Sequence, residues 1–259
     1  MKIEIRGIMK VSAEFMILWF ASNYLYNSGL ALTTVSSSTV LSNTSGIFVY
    51  IMGIFFLIGV TFNRVKLAIV VLSFGGVVLI TLDDARQESK AGQEESTQGN
   101  VLSLLSACVY GFYAVILKKR VPEEQEATFK FSYFLGFVGL FNSVFLLPLF
   151  PLLNHLKIEE FEWPNESALK CLVLNAILGT VISDFCWAKS VVLLGPLLTT
   201  VGISMTIPIS MLVDAQYSDK EFSSTYYIGS LFILGSFFAL TYLDYHESKS
   251  TQQNDEEQK

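Results

Sequence analysis

A segment near the start of this chain recurs near its end, displaced by a constant 161 positions and without a gap. Residues 22–26 (SNYLY) align with residues 183–187 (SDFCW), and residues 38–40 (STV) align with residues 199–201 (TTV). The same offset still relates Leu82-Asp83 to Leu243-Asp244. Both copies consist of apolar, membrane-length segments, and internal repeats of this kind build many secondary transporters. A transporter is therefore the leading interpretation.

The composition places both copies in a lipid bilayer. The chain has 259 residues, of which 52% are hydrophobic and only 15% are charged, whereas soluble domains carry roughly a quarter charged residues. A helix needs about 20 mostly apolar residues to span the hydrocarbon core, and several stretches meet that requirement. The fold class expected is an all-α, polytopic helical membrane protein, because a soluble bundle would expose far too much apolar surface.

Apolar runs between charged breaks predict eight membrane-spanning helices. The second and seventh have the weakest hydropathy, since both contain many hydroxyl residues, and their matching positions in the repeat support them. The predicted spans are residues 9–32, 36–60, 66–82, 100–117, 130–153, 169–189, 197–214 and 225–243.

Basic residues between the spans predict the orientation of the chain. Of the 17 Lys and Arg residues, 12 fall on the side that also holds both termini. Basic residues are retained on the cytoplasmic side of membrane proteins. We therefore expect both termini in the cytoplasm, which agrees with an even number of spans.

Five spans separate matching helices of the two copies, so the second copy is inverted in the membrane. Residues 1–82 form a first, incomplete repeat of three spans, and residues 100–245 form a second repeat of five. Residues 83–99 are a polar linker, and residues 246–259 are expected to be a disordered cytoplasmic tail. Completing the repeat requires ten helices, so the first two of ten are predicted to be missing and the chain to be N-terminally truncated.

Charge and sequence motifs argue against several other classes of protein. The net charge of −6 disfavours a nucleic acid partner, which requires a concentrated basic face. The chain has no phosphate-binding glycine-rich loop, no zinc-ligand spacing and no Ser-His-Asp set on one surface. We therefore expect no catalytic residues, no metal and no cofactor, and a membrane-embedded enzyme is the weakest of the alternatives.

One repeat-related pair of polar residues lies within the spans. Ionisable and amide side chains are costly inside a membrane, so each indicates a partner or a function. Asp184 could bind a cationic group or a coupling proton; the structural alternative is an interhelical hydrogen bond or an ion pair with Lys189. Its counterpart Asn23 occupies the matching position in the other copy, so both are candidate substrate-binding residues.

Further candidates surround this pair. Asn27 lies one turn beyond Asn23 on the same helix face, and the aromatic pair Tyr26 and Trp187 could stack on a planar ligand. Packing is the alternative for both aromatic residues.

Small polar residues at mid-span complete the predicted substrate site. Asn43, matched by Ser204, and the nearby Thr206 bring one amide and two hydroxyls to mid-span. Such residues also let helices approach closely without any ligand, which is the structural alternative. Pro208 would interrupt the backbone ladder of its helix, as discontinuous helices do at transport sites.

Four sequence motifs resemble the drug/metabolite transporter superfamily, and in particular its solute carrier 35 F5-type branch with fungal vacuolar and thiamine-repressible relatives. They are residues 18–24 (LWFASNY), 36–46 (SSSTVLSNTSG), 179–188 (GTVISDFCWA) and 201–208 (VGISMTIP). The resemblance implies ten helices in two inverted five-helix halves, a central cavity and alternating access. It also implies that the missing first pair of helices would help to wall that cavity.

Two hypotheses follow from these features. The first is a secondary transporter that moves a small polar metabolite by alternating access across an endomembrane, such as the vacuole or Golgi membrane. The alternative is a non-transporting, truncated membrane protein that associates with full-length carriers. The expected partners are a small-molecule substrate and the lipid bilayer, with a homodimer as a further option.

Overall fold

The computed structural model describes residues 5–57, 60–90, 96–121, 129–157, 162–217 and 223–257. Every regular element in these ranges is helical, which confirms the predicted all-α class. The helices are α1 (Ile5–Leu32), α2 (Val35–Asn43), α3 (Ser45–Phe56), α4 (Arg64–Lys90), α5 (Thr97–Arg120), α6 (Phe131–Leu146), α7 (Leu149–His155), α8 (Glu166–Leu174), α9 (Ser183–Leu194), α10 (Pro196–Ser204), α11 (Thr206–Tyr217) and α12 (Ser224–Glu257), with a π-helical stretch, Asn175–Ile182, between α8 and α9.

Seven helical segments in the described part of the chain are long and apolar enough to cross a membrane. They correspond to the second through eighth predicted spans. The first predicted span corresponds to α1, which is 28 residues long but is not among these seven. Glu14, Asn23 and Asn27 lie in this helix and lower its hydropathy.

Two of the seven spans are interrupted at positions that the repeat relates to each other. Thr44 separates α2 from α3, and Met205 separates α10 from α11. Moving the bounds of α2 and α3 forward by 161 positions gives the bounds of α10 and α11. The repeat seen in the sequence therefore extends to the ends of these four helices.

The backbone makes the same hydrogen bonds at both interruptions. The Thr44 N–H donates to Leu41 O at 3.2 Å, and the Met205 N–H donates to Gly202 O at 3.1 Å. Each bond spans three residues instead of four, which tightens the helix locally. Only the second copy has a proline here, Pro208, so the interruption does not require one.

The chain divides into two compact units, and each contains helices of both repeats. Unit 1 comprises residues 1–21 and 116–195, and unit 2 comprises residues 22–115 and 196–259.

Aromatic side chains pack the interior of unit 1. The Phe134 ring lies 5.0 Å from Phe15 and 5.6 Å from Phe129, measured between centroids. Ser12 on α1 donates a hydrogen bond to Phe134 O at 3.0 Å. Together these contacts fix the first half of α1 against α6.

Helices α4 and α12, which the repeat relates, pack against each other in unit 2. A Cβ placed on Gly76 would lie 2.6 Å from Gly229 O, and one on Gly229 would lie 2.6 Å from Gly76 O. The absence of both side chains therefore allows the two backbones to touch. A buried apolar cluster lies beside this crossing and consists of Val77, Ile80 and Ile233.

An ion pair at one end of this helix pair shows that the two helices are antiparallel. Lys66 Nζ lies 2.7 Å from Asp244 Oδ1 and 2.6 Å from Glu247 Oε2. Lys66 precedes Gly76 in α4, whereas its partners follow Gly229 in α12, so the chains run in opposite directions. Opposite polarity of equivalent helices is what the inverted repeat predicts.

The structure differs from the predicted linker and tail. Helix α4 continues to Lys90 and α5 begins at Thr97, so helices occupy much of the predicted linker 83–99; residues 91–95 lie outside the described residues. Helix α12 continues to Glu257, where a disordered tail was predicted. Gln and Glu are good helix formers, and the preceding span supplies the helix nucleus.

The α4–α12 crossing predicts a difference between two adjacent glycines. Gly76→Ala should lower the free energy of unfolding by about 1–3 kcal/mol, because its methyl group would meet the backbone of α12. Gly75→Ala is the control, since a Cβ there meets no atom within 4 Å. Thermal unfolding in detergent measures both, and equal stabilities of the two variants would contradict the proposed crossing.

Candidate functional site

Unit 2 contains a cavity of about 260 Å³. Side chains from α1, α2, α3, α5 and α10 line it, and all of these residues are uncharged. They are Ser22, Asn23, Tyr26, Ser42, Asn43, Ser45, Ser106, Ala107, Tyr110, Tyr113, Thr200 and Ile203.

Close packing of α1 against α5 forms one wall of the cavity. A Cβ on Gly29 would lie 2.9 Å from Gly99 O, and a Cβ on Gly99 would lie 2.9 Å from Gly29 O. The two glycines therefore let the helices cross with their backbones in contact. This crossing brings the buried Ser22 hydroxyl within 3.1 Å of Ser106 O, to which it donates a hydrogen bond.

One face of α5 supplies a second group of lining residues. Ser106, Tyr110 and Tyr113 are spaced at i, i+4 and i+7, which places them on the same side of a helix. The two tyrosine rings lie 5.1 Å apart and meet edge to face. The Tyr110 hydroxyl also lies 3.4 Å from Thr200 Oγ1 on α10, so this face reaches across the cavity.

A hydrogen bond between equivalent residues of the two repeats lies beside the cavity. Ser204 Oγ donates to Asn43 Oδ1 at 3.0 Å, across a separation of 161 residues. Asn43 also donates its amide N–H to Thr39 O at 2.9 Å, which fixes the side chain against α2. Since 161 is also the repeat offset, the pseudo-two-fold axis passes between Asn43 and Ser204.

Four of the eight predicted site residues meet in this region. Asn23, Tyr26 and Asn43 line the cavity, and Ser204 contacts Asn43 while lining a smaller adjoining cavity.

Two other predicted residues of unit 2 are placed differently. The Asn27 side chain turns back to donate to Asn23 O at 2.8 Å. The Thr206 hydroxyl donates to Ile203 O at 2.8 Å. Neither is among the lining residues of the cavity.

The remaining two predicted residues, Asp184 and Trp187, belong to unit 1. Asp184 is half-buried in the first turn of α9, directly after the π-helical stretch. Among the described residues it forms no ion pair with Lys189, which follows five positions later on a different face of the helix. The Trp187 ring lies 5.8 Å from Phe15, so it contacts the first half of α1.

Sequence reasoning missed the contribution of α5 and of Thr200. The spacing of Ser106, Tyr110 and Tyr113 was a usable signal for one polar, aromatic helix face. It had no match in the repeat, because positions 161 earlier do not exist in this chain. Thr200 was matched to Thr39 in the repeat but was not selected as a site residue.

The lining residues offer hydroxyl, phenol and amide groups. Within the described residues no group of three or more His, Cys, Asp or Glu side chains is arranged to hold a metal ion. The chemistry available at the cavity is therefore hydrogen bonding and ring contact with a small molecule.

Comparison with known proteins places these features in a family. A family model described as solute carrier family 35 matches residues 8–242. A solved crystal structure shares the fold, with a TM-score of 0.64 and 19% identity, over 92% of this chain and 77% of that chain.

Three curated relatives cover most of this chain. An uncharacterized vacuolar membrane protein of Saccharomyces cerevisiae is 37% identical over 90% of this chain and 61% of its own length. Solute carrier family 35 member F5 of Macaca fascicularis is 36% identical over 95% of this chain and 56% of its own length. A thiamine-repressible mitochondrial transport protein of Saccharomyces cerevisiae is 31% identical over 97% of this chain and 66% of its own length. The chain thus spans less than two thirds of the length of each.

The hydrogen bond on the pseudo-two-fold axis predicts that its two residues can be exchanged. Asn43→Ser or Ser204→Asn alone should each lower the free energy of unfolding by about 0.5–1.5 kcal/mol, the net value of one hydrogen bond. The double variant should recover most of that loss, because an asparagine at 204 faces the carbonyl of Thr200 as Asn43 faces that of Thr39.

Thermal unfolding of the four proteins in detergent measures this double-mutant cycle. Losses that simply add in the double variant would show that the two positions are not equivalent.

Proposed function

We propose that this protein, which belongs to solute carrier family 35, is a secondary transporter that moves a small polar metabolite across an endomembrane by alternating access. Family membership confirms the resemblance stated from the sequence motifs, and seven apolar helices agree with a multi-pass membrane protein. The observation that carries the proposal is the uncharged, hydrogen-bonding cavity beside the Asn43–Ser204 contact. In inverted-repeat carriers, substrate sites lie near the interface of the repeats.

The interrupted helices support this assignment. Discontinuous helices at equivalent positions of two repeats are typical of transport sites. Here Thr44 separates α2 from α3, and Met205 separates α10 from α11. Of these helices, α2, α3 and α10 contribute lining residues to the cavity. Antiparallel packing of α4 against α12 adds the inverted geometry that alternating access uses.

An endomembrane location is proposed from the relatives. One is named as a vacuolar membrane protein, which supports the vacuole ahead of the Golgi. Another is named as a mitochondrial transport protein. Microscopy of the tagged chain together with markers of the vacuole, Golgi and mitochondria distinguishes these membranes.

Transport is tested by uptake into proteoliposomes that contain the purified chain. A panel of labelled polar metabolites, both neutral and charged, should include at least one that accumulates faster than in protein-free liposomes. Flux that saturates with substrate concentration would support a carrier. Equal rates with and without protein for the whole panel would contradict the proposal.

A second candidate is a non-transporting membrane protein that associates with longer carriers. It is the alternative predicted from the sequence, and the chain spans 56% to 66% of the length of the three relatives named above. It predicts no flux from the chain alone and co-purification with a longer family member from the same membrane. A homodimer is a further prediction, which the same co-purification experiment tests.

We further propose that Asp184 binds a coupling proton or a cationic substrate group. Asp184→Asn keeps the size of the side chain but removes its charge, so the initial uptake rate should fall by about tenfold or more. Glu166→Gln is the matched control, because Glu166 is exposed and, among the described residues, forms its ion pair with Lys170 on its own helix, at 2.7 Å.

The amount of inserted protein should be the same for both variants. Unchanged uptake by Asp184→Asn would assign Asp184 a structural role.

A further inference from the structure

Three of the hydroxyl groups around the cavity already donate their protons to backbone carbonyls. Thr200 Oγ1 donates to Pro196 O at 2.7 Å, and Ser42 Oγ donates to Thr39 O at 3.0 Å. Ser22 Oγ donates to Ser106 O at 3.1 Å. A serine or threonine hydroxyl has one proton and two lone pairs. At these three positions, a ligand therefore meets only acceptor oxygens.

The phenol beside them also directs its proton to the protein, whereas the Asn43 amide still has a second N–H that these bonds do not use. One Asn43 N–H is used on Thr39 O, and its oxygen accepts from Ser204. Because the Thr200 proton lies on Pro196 O, Tyr110 must be the donor in its 3.4 Å contact with Thr200.

We propose that this cavity binds a small molecule rich in hydrogen-bond donors, a polyol or an amine, and rejects its phosphate ester. Hydroxyl and N–H groups of such a ligand match acceptor oxygens on α1, α2 and α10. A phosphate group offers mainly acceptors and carries negative charge, so it would face lone pairs at these positions and uncharged residues around them. Burying an uncompensated charge is unfavourable.

The size of the cavity sets a further limit. Its volume of about 260 Å³ lies below the roughly 300–1,000 Å³ typical of pockets for drug-sized ligands. The ligand should therefore be a single ring or a short chain. This inference rests on the proposed function only in taking the cavity as the substrate site, and ligand binding tests it without any measurement of flux.

The test uses three forms of each probe with the purified full chain in detergent. Glucose, uridine and pyridoxine are each compared with their O-methyl ether and their phosphate monoester. A ligand that binds only the folded protein raises the unfolding temperature with concentration. At least one parent compound should do so, its ether, which lacks one donor, should stabilise the protein less, and its charged ester should not stabilise it. Stabilisation by none of the parents, or greater stabilisation by an ester, would overturn the inference.

A single hydroxyl deletion locates the binding within the cavity. Thr200→Val removes one acceptor at nearly constant size and should weaken binding of the parent compound about fivefold, the value of one hydrogen bond. Thr241→Val is the matched control, since Thr241 makes the same type of bond, to Phe237 O at 2.8 Å, on the exposed surface of α12. Equal weakening by both variants would place the ligand elsewhere.

Ser42→Ala is a second cavity variant if Thr200→Val does not fold, and it should give a similar loss of affinity. Uptake into proteoliposomes separates this inference from the transport function. Binding of a parent compound without flux would contradict transport and leave the inference standing. Flux of the phosphate ester alone would support transport and overturn the inference.

Discussion

An interrupted helix inside a bilayer must satisfy its freed backbone groups without help from water. This chain meets that constraint twice, at Thr44 and Met205, by the same three-residue hydrogen bonds. Side chains assist at both places, since the hydroxyls of Thr44 and Thr206 each donate to a carbonyl one turn earlier. The polar cavity depends on this arrangement, because the interruptions let serine, threonine and asparagine side chains lie side by side at the centre of apolar spans.

Much of the fold could be predicted from the sequence, because the length and hydropathy of the apolar runs and the 161-residue repeat are regular patterns along the chain. The all-α class, the membrane segments and the opposite polarity of equivalent helices follow from these patterns. The interruption at Thr44 could not be predicted in the same way, since the first copy has no proline there. The helical continuation of α4 to Lys90 was missed because the polar composition of residues 83–99 was taken to indicate a linker, although Glu, Lys and Gln favour helices.

The candidate site was predictable only where the repeat supplied two copies. Asn43 and Ser204 were selected because the 161-residue offset matches these two polar residues to each other. Ser106 and Tyr110 were missed, because helix α5 has no second copy in this chain and only its own spacing could reveal its polar face. Asn27 shares a helix face with Asn23, yet its amide bonds to Asn23 O. Helical spacing gives the direction of a side chain and not its hydrogen-bond partner.

The bond between Asn43 and Ser204 joins two equivalent positions, and a point on a rotation axis stays where it is when the rotation is applied. If a carrier of this design exchanges the conformations of its two halves as it opens first to one side and then to the other, almost every contact must be broken and remade. The Asn43–Ser204 bond joins two positions that such an exchange maps onto each other. In such a cycle this bond would form once, when the chain folds, and would stay formed while other contacts exchange.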